Sequence, residues 1–367
     1  MAKAPKKKPA AASAKNDPGK LATEIQRVDR ELIKLANERA RLSGQVIKAG
    51  GPTHSDLSEI DYHNLVSVHN QGPLADRAVA SMFRELLSGI DACHQRQRVA
   101  YLGPMYSYTH LAALEKFGHS ADLVPVGNIV AVFEEVNRGH AKYGVVPIEN
   151  STDGRITDTL DTFTRLPMKI CGEVALPIHH NLLGKCPRSD VTEVYSKPQA
   201  ISQCRNWLAK HLPQARPIEV TSTSAAAQLA REKPGAAAIA SLEAGVHYGL
   251  EVLAESIEDN PANQTRFAVI GQHSGPRTGN DKTALMCDLQ HRPGSLADAL
   301  QIFKKHKLNL TWIESFPFPA EPGRYFFFLE LLGHETDPAV RKAIAELEPQ
   351  SRRLVVLGAY PRATARE

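Results

Sequence analysis

Residues 145–160 read VVPIENSTDGRITDTL. An apolar run stops at Glu149 and Asn150, a turn rich in hydroxyls follows, and Ile156, Leu160 and Phe163 then recur at helical spacing. That order is strand, polar turn, helix. The turn has two readings. Ser, Thr, Asn and Asp are the favoured residues for capping a helix N-terminus. The first N–H groups of a helix are also unpaired and attract anions.

Working outward, the same unit recurs. RVAYLGP, KYGVVPI, VTEVYS and ARPIEV are short β-rich runs from Arg98 onward, each followed by a polar turn and a helical segment. This alternation predicts an α/β domain. Its turns LGPMYSYTH (102–110), IENSTDGR (148–155), YSKPQAISQ (195–203) and EVTSTSAA (219–226) share a composition. One such turn is an ordinary cap. Four of them in an α/β domain, where ligands bind at the carboxyl ends of strands, predict a site for a small polyanion. Its candidate residues are Ser107, Thr109, His110, Ser151, Thr152, Gly154, Ser222, Thr223 and Ser224.

Beyond a linker, QHSGPRTGND, the order changes to KTALMCDLQ (strand), GSLADALQIFKKHKL (helix), NLTWIESF and YFFFLELLG (strands), DPAVRKAIAELE (helix) and RRLVVLGAY (strand). This is βαββαβ, a ferredoxin-like α+β unit. Toward the N-terminus, Leu21, Ile25, Val28, Leu32, Leu35, Leu42 and Val46 mark a long amphipathic helix. Two further helical stretches follow, one with Leu57, Ile60, Leu65 and Val68 and one with Ala78, Met82, Phe83, Leu86, Leu87 and Ile90. An all-α unit of this size needs a partner chain to bury its stripes.

The expected organisation is therefore multi-domain: a solvated basic tail at 1–20, helices at 21–96, the α/β domain at 97–274 and the α+β unit at 283–361. With 42% hydrophobic and 23% charged residues the chain is an ordinary soluble protein. Residues 1–20 carry six Lys and one Asp, so the basic balance belongs to the tail and the body is not a nucleic-acid binder. The tail has no apolar run fit for a signal peptide or membrane span. Five scattered cysteines with no CxxC pair predict reduced thiols in the cytoplasm. His179 and His180 near Cys171 and Cys186 fit no zinc spacing, so no metal is expected.

NQTRFAVIG, residues 263–271, sets Thr265, Arg266 and Phe267 at the head of a strand. VVPIENSTDGRITDTLDTF, STSAAA and NQTRFAVIG, in this order, resemble prephenate dehydratase from about Arg98 to Gly271. The unit behind them resembles an ACT domain, and the first 95 residues resemble the type II chorismate mutase of bifunctional P-proteins. The resemblance implies a two-lobed α/β fold like that of periplasmic binding proteins, with prephenate as substrate and no cofactor. It implies catalytic roles for Thr265, Glu149 and Asn150. Gln199, Phe267 and the polar turns are expected at the substrate; Arg266 either grips a carboxylate or braces the loop. Tyr106 departs from the family pattern, which has Gly there.

The ACT resemblance implies an L-phenylalanine effector site between two subunits, formed by Gly294, Ser295 and Leu296 with Glu314 and Ser315. Phe316 replaces the usual Arg. In the mutase-like unit only Arg39 and Glu59 match the family's catalytic set; Ala22, Gly50, Ser58, Ile90 and His94 stand at the other positions. The expectation is a mutase-like fold with little or no mutase activity, kept for dimerisation or stability. Two rivals are a bifunctional enzyme with compensating mutase residues and a non-catalytic, amino-acid-responsive binding module.

Overall fold

The structure, a computed structural model, describes residues 17–50, 62–152, 154–317 and 324–363. The predicted tail up to Asn16, Leu57, Ser58, Glu59 and Ile60 fall outside these residues. The described residues up to Gly50 belong to a compact unit of their own. It is built on helix α1 (Pro18–Lys48), capped by Asp17, whose carboxylate accepts from the Gly19 N–H at 3.0 Å. Leu21, Ile25, Val28, Leu32 and Leu35 are exposed along it in the single chain.

The second unit begins with α2 (Tyr62–His69) and α3 (Asp76–His94). The chain then forms β1 (Arg98–Leu102), α4 (Tyr108–Phe117), β2 (Asp122–Val126), α5 (Ile129–Asn137), β3 (Tyr143–Asn150), β4 (Gly154–Arg155), α6 (Thr157–Arg165) and β5 (Lys169–Pro177). Helix α3 is tied to this lobe: Arg84 pairs with Glu115 at 2.8 Å, and Ser88 Oγ accepts from the Ser120 N–H at 3.1 Å. The boundary drawn at residue 96 is thus crossed by contacts.

The chain next crosses to a second lobe, with β6 (Asn181–Gly184), β7 (Glu193–Ser196), α7 (Pro198–Gln203), α8 (Arg205–His211), β8 (Arg216–Glu219), α9 (Thr223–Glu232), β9 (Ala236–Ala240), α10 (Leu242–Tyr248) and β10 (Glu251–Ala254). It returns through β11 (Gln264–Gly271). The first sheet runs β2-β1-β3-β11-β5, with β11 antiparallel to both neighbours. The second runs β10-β6-β9-β7-β8, and its centre, Ala236–Ala240, is buried throughout.

The last module is β12 (Asp281–Leu289), α11 (Ser295–Lys305), β13 (Leu310–Pro317), β14 (Tyr325–Leu332), α12 (Pro338–Leu347) and β15 (Ser351–Pro361), with antiparallel order β13-β14-β12-β15. This is the expected βαββαβ. Leu285, Cys287, Leu289, Leu329 and Leu331 face its helices. Ala284, Met286, Phe326, Phe328 and Tyr360 alternate to the other face and share a core with Phe163, Ile170 and Ala268 of the first lobe. Gly358 shows how close that approach is: at φ 135 it has no Cβ, and one placed there would lie 2.2 Å from the Ile170 carbonyl oxygen. Phe316, in the place of the family Arg, is buried in the same core.

Candidate active site

Thr265 and Asn150 lie directly opposite each other on β11 and β3. The Asn150 side chain is oriented by a group that can only donate: the Thr152 backbone N–H reaches Asn150 Oδ1 at 2.9 Å. Nδ2 therefore faces the other way and donates to Thr265 Oγ1 at 2.8 Å and to Asn263 Oδ1 at 3.1 Å. The same logic continues outward. Asn263 Oδ1 also accepts from Thr152 Oγ1 at 3.2 Å, so Asn263 Nδ2 donates to Gln203 Oε1 at 3.0 Å. That oxygen is also 2.9 Å from His180 Nε2, which must carry the hydrogen. Burial lowers the His180 pKa, against the opposing hydrogen bond to Gln203 and the charge of Glu258, and favours the neutral ring.

One backbone N–H thus sets the direction of every bond from His180 to Thr265. Its consequence lies at Thr265, which is only 9% exposed. The oxygen already accepts from Asn150. Among the described residues nothing accepts the threonine proton, so that proton is available to a ligand.

Glu149 and Arg266 are brought together, but away from Thr265. A bulge between Arg266 and Phe267 opposes one extra residue of β3 and reverses its side-chain parity. Asn150 consequently shares a face with Thr265, and Glu149 shares the opposite one with Arg266. Arg266 donates to Glu149 at 2.7 Å, to Glu173 at 2.8 Å and to Glu330 of the last module at 2.6 Å. Lys282 joins at 3.0 Å from Glu173, and the Tyr360 hydroxyl donates to Glu330 at 2.5 Å. The guanidinium also lies 5.5 Å over the Trp312 ring. Arg266 therefore takes the bracing role of its two expected ones, donating to three protein carboxylates, and Glu149 is one of its partners. Phe267 is 1% exposed and belongs to the core with Val145 and Val269, so it too is structural.

The turns keep both of their readings. Ser107 and Ser222 cap α4 and α9, accepting from the N–H groups of His110 and Ala225. Ser224 Oγ donates to the Met105 carbonyl at 2.8 Å, linking the second lobe to the first wall. Ser151 accepts from the Gln264 N–H at 2.9 Å and pins the return strand. Thr109 and Thr223 are buried in the first turns of their helices, and Gly154, at φ 80, ends the exposed turn beside Thr152. Gln199 is exposed in the first turn of α7, while Gln203, one turn on, joins the Thr265 network. Sequence reasoning missed Gln203, Asn263, His180 and Tyr108, whose hydroxyl donates to the His179 carbonyl at 2.7 Å. Gln203 and Asn263 lay inside quoted motifs; only their placement across the two lobe crossings marks them.

In the last module Gly294, Ser295 and Leu296 line a cavity of about 240 Å³ together with Arg292, Arg324 and Phe327. Both arginines are paired with protein carboxylates, Arg292 with Asp298 at 2.8 Å and Arg324 with the buried Asp288, and Phe327 gives the cavity an apolar wall. Glu314, on β13, pairs with Arg155 at 2.8 Å, next to Gly154; Ser315 follows it on that strand. In the front unit Arg39 is hydrogen-bonded to Ser43, and Glu59 lies outside the described residues.

Fold and site together define a two-lobed α/β enzyme with a neutral hydrogen-bond network running to Thr265 and a ferredoxin-like module pressed on its first lobe. Residues 99–275 match the family described as prephenate dehydratase, and residues 283–349 match the ACT domain. A bifunctional chorismate mutase/prephenate dehydratase of Aquifex aeolicus (strain VF5) is 40% identical over 95% of this chain and 98% of its own. The crystal structure of a prephenate dehydratase from Arthrobacter aurescens in complex with L-Phe superposes with TM-score 0.67 at 36% identity, covering 72% of this chain and 90% of that one. A structure described as a quorum-quenching acylase, GqqA, gives TM-score 0.66 at 27% identity over 73% of this chain and 98% of its own. The chain belongs to the prephenate dehydratase family, in the P-protein-like form that carries an ACT domain.

Proposed function

We infer that Thr265 is the hydrogen-bond donor at which this dehydratase separates water from prephenate. In the reaction the ring carboxylate leaves as CO₂, the electron pair of the broken C–C bond enters the ring, and the C–O bond across the ring breaks. The departing hydroxide takes up a proton and leaves as water, while the remaining six-membered ring becomes aromatic phenylpyruvate. A threonine hydroxyl is too weak an acid to surrender its proton unaided. It stabilises the developing negative charge on the departing oxygen, and solvent supplies the proton through it.

The observation that carries this reading is the fixed polarity at Asn150. Because Nδ2 donates to Thr265 Oγ1, the threonine cannot turn its proton inward to an acceptor there. The caps of α4 and α9 supply N–H groups and positive dipole ends for the substrate carboxylates. The network behind Thr265 is neutral and so does not oppose a dianion.

L-Phenylalanine as the ACT effector is supported by the cavity at Gly294–Leu296 and the apolar wall of Phe327 beside it. A mutase-type fold with little mutase activity is the corresponding reading of the front unit. Its first helix carries Ala22, and the turn after it Gly50, where the family has cations, and the exposed stripe of α1 suits a second copy in a homodimer. A division at 21–96, 97–274 and 283–361 and a cytoplasmic location complete the reading. No described helix is long and apolar enough to cross a membrane.

The test is to supply prephenate, arogenate and chorismate separately and to identify the products, with Thr265→Ala in parallel. Phenylpyruvate from prephenate, lost in the alanine variant, is expected, with negligible prephenate formed from chorismate. Turnover unaffected by Thr265→Ala would remove Thr265 from the mechanism.

A further inference from the structure

Tyr106 stands in the wall between β1 and α4 with φ 64. A side chain with a Cβ is disfavoured in that left-handed region, and the sequences it resembles have Gly there. Something in the surroundings must hold it. The Tyr106 ring stacks on His247 of α10, in the other lobe, with centroids 4.1 Å apart and planes at 26°. It meets the His110 ring edge-on at 5.4 Å and packs against the second lobe's apolar cluster that includes Leu183 and Ala227. One residue earlier, the Met105 carbonyl accepts the bond from Ser224, so two adjacent residues of this wall are held by the far lobe.

The backbone of the same residue sets the chemistry of His110. The Tyr106 N–H donates to His110 Nδ1 at 3.1 Å. Burial lowers the His110 pKa, so the ring is neutral, and with Nδ1 accepting, its single hydrogen sits on Nε2. We propose that Tyr106 is a positioning residue of the dehydratase: its ring fastens the first substrate wall to the second lobe, and its N–H fixes His110 as a donor. The proposal rests on the prephenate reading above for its kinetic consequence, and on the stack alone for its structural one.

Glycine carries no penalty at φ 64, so Tyr106→Gly deletes the ring without forcing the backbone. The loss of one aromatic pair corresponds to a rise of about three- to tenfold in KM for prephenate, with kcat within about twofold. Tyr106→Phe, which keeps the stack, should retain the wild-type KM. His247→Ala should raise KM as Tyr106→Gly does, and the double variant should add nothing further. Hydrogen–deuterium exchange without substrate should accelerate in Tyr106→Gly at both 103–110 and 242–248, segments on different lobes. An unchanged KM, full additivity with His247→Ala, or faster exchange confined to 103–110 would overturn the proposal. Failure of the wild type to convert prephenate would instead count against the dehydratase reading, and the exchange measurement would still decide the latch.

Discussion

Arg266 donates to Glu330 at 2.6 Å, which places a bond from the ACT module one residue along the strand from Thr265. The Glu330 side chain is 0% exposed and that of Glu173 is 4% exposed. Removing the guanidinium leaves both carboxylates with Lys282 as their remaining cation among the described residues. A buried charge deprived of its partner costs about 3–5 kcal/mol, so Arg266→Leu should lower unfolding stability by about that much. Arg266→Lys should recover part of it, since an ammonium keeps the charge but not the fork that reaches three carboxylates. Denaturant melts of both variants measure this; a loss below about 1 kcal/mol for the leucine variant would mean that the cluster contributes little.

Thr265→Ala should lower kcat by about 10²- to 10³-fold with little change in KM, the usual cost of one oriented donor to developing charge. Thr265→Ser should recover much of it. Asn150→Asp is the sharper test, because a carboxylate can only accept. It would draw the threonine proton inward and bring a negative charge toward a dianionic substrate. Its kcat should fall at least as far as that of Thr265→Ala; an aspartate variant with wild-type kcat would show that the direction of the bond is irrelevant.

Stability should fall with acid in two windows. Burial holds the His180 and His110 pKa values below 6.5, so below that pH the unfolded chain binds protons that the folded one does not, and stability declines as pH drops toward their folded values. Burial alone would raise Glu330, but Arg266 and Lys282 more than reverse this and hold it below 4.5. Its contribution is present above 4.5 and is lost as pH falls through the folded value. Thermal melts across pH should show both declines. His180→Gln should weaken the first and spare the second; an unchanged slope in the first window would mean that His180 is not the group responsible.

The strand-turn-helix order and the βαββαβ module were legible, because hydrophobic period and turn chemistry are local properties; Thr265 stood out only through the resemblance of NQTRFAVIG to the family. The pairing of Glu149 with Arg266 was not legible, for a reason that is not local. Strict alternation cannot anticipate a bulge, and this one reverses the faces of two adjacent residues. Asn263, Gln203 and His180 looked like ordinary polar residues. They meet only because the chain crosses between lobes twice, at His180 and again ahead of Gln264. Tyr106 was noticed as a departure from pattern, but its partner His247 lies on the far lobe and had no signal of its own.

Glu314 of β13 bonds Arg155, the residue after the turn that carries Thr152 and Gly154, at 2.8 Å. Both side chains keep solvent contact, at 24% and 37% exposure. An ion pair of this kind is worth only about 0–1 kcal/mol to stability, so Arg155→Gln should melt close to the wild type. Its effect should appear in regulation, because an effector acts only by differential contact with two states. If β13 shifts when L-phenylalanine occupies the ACT module, this bond pulls on the substrate turn. The variant should then bind L-phenylalanine with unchanged affinity by calorimetry while needing about tenfold more of it for half-inhibition, within the usual range of a coupling energy. Equal loss of binding and inhibition would place Arg155 in the effector site itself, and wild-type inhibition would show that the coupling runs elsewhere, with the Arg266–Glu330 bond as the remaining route.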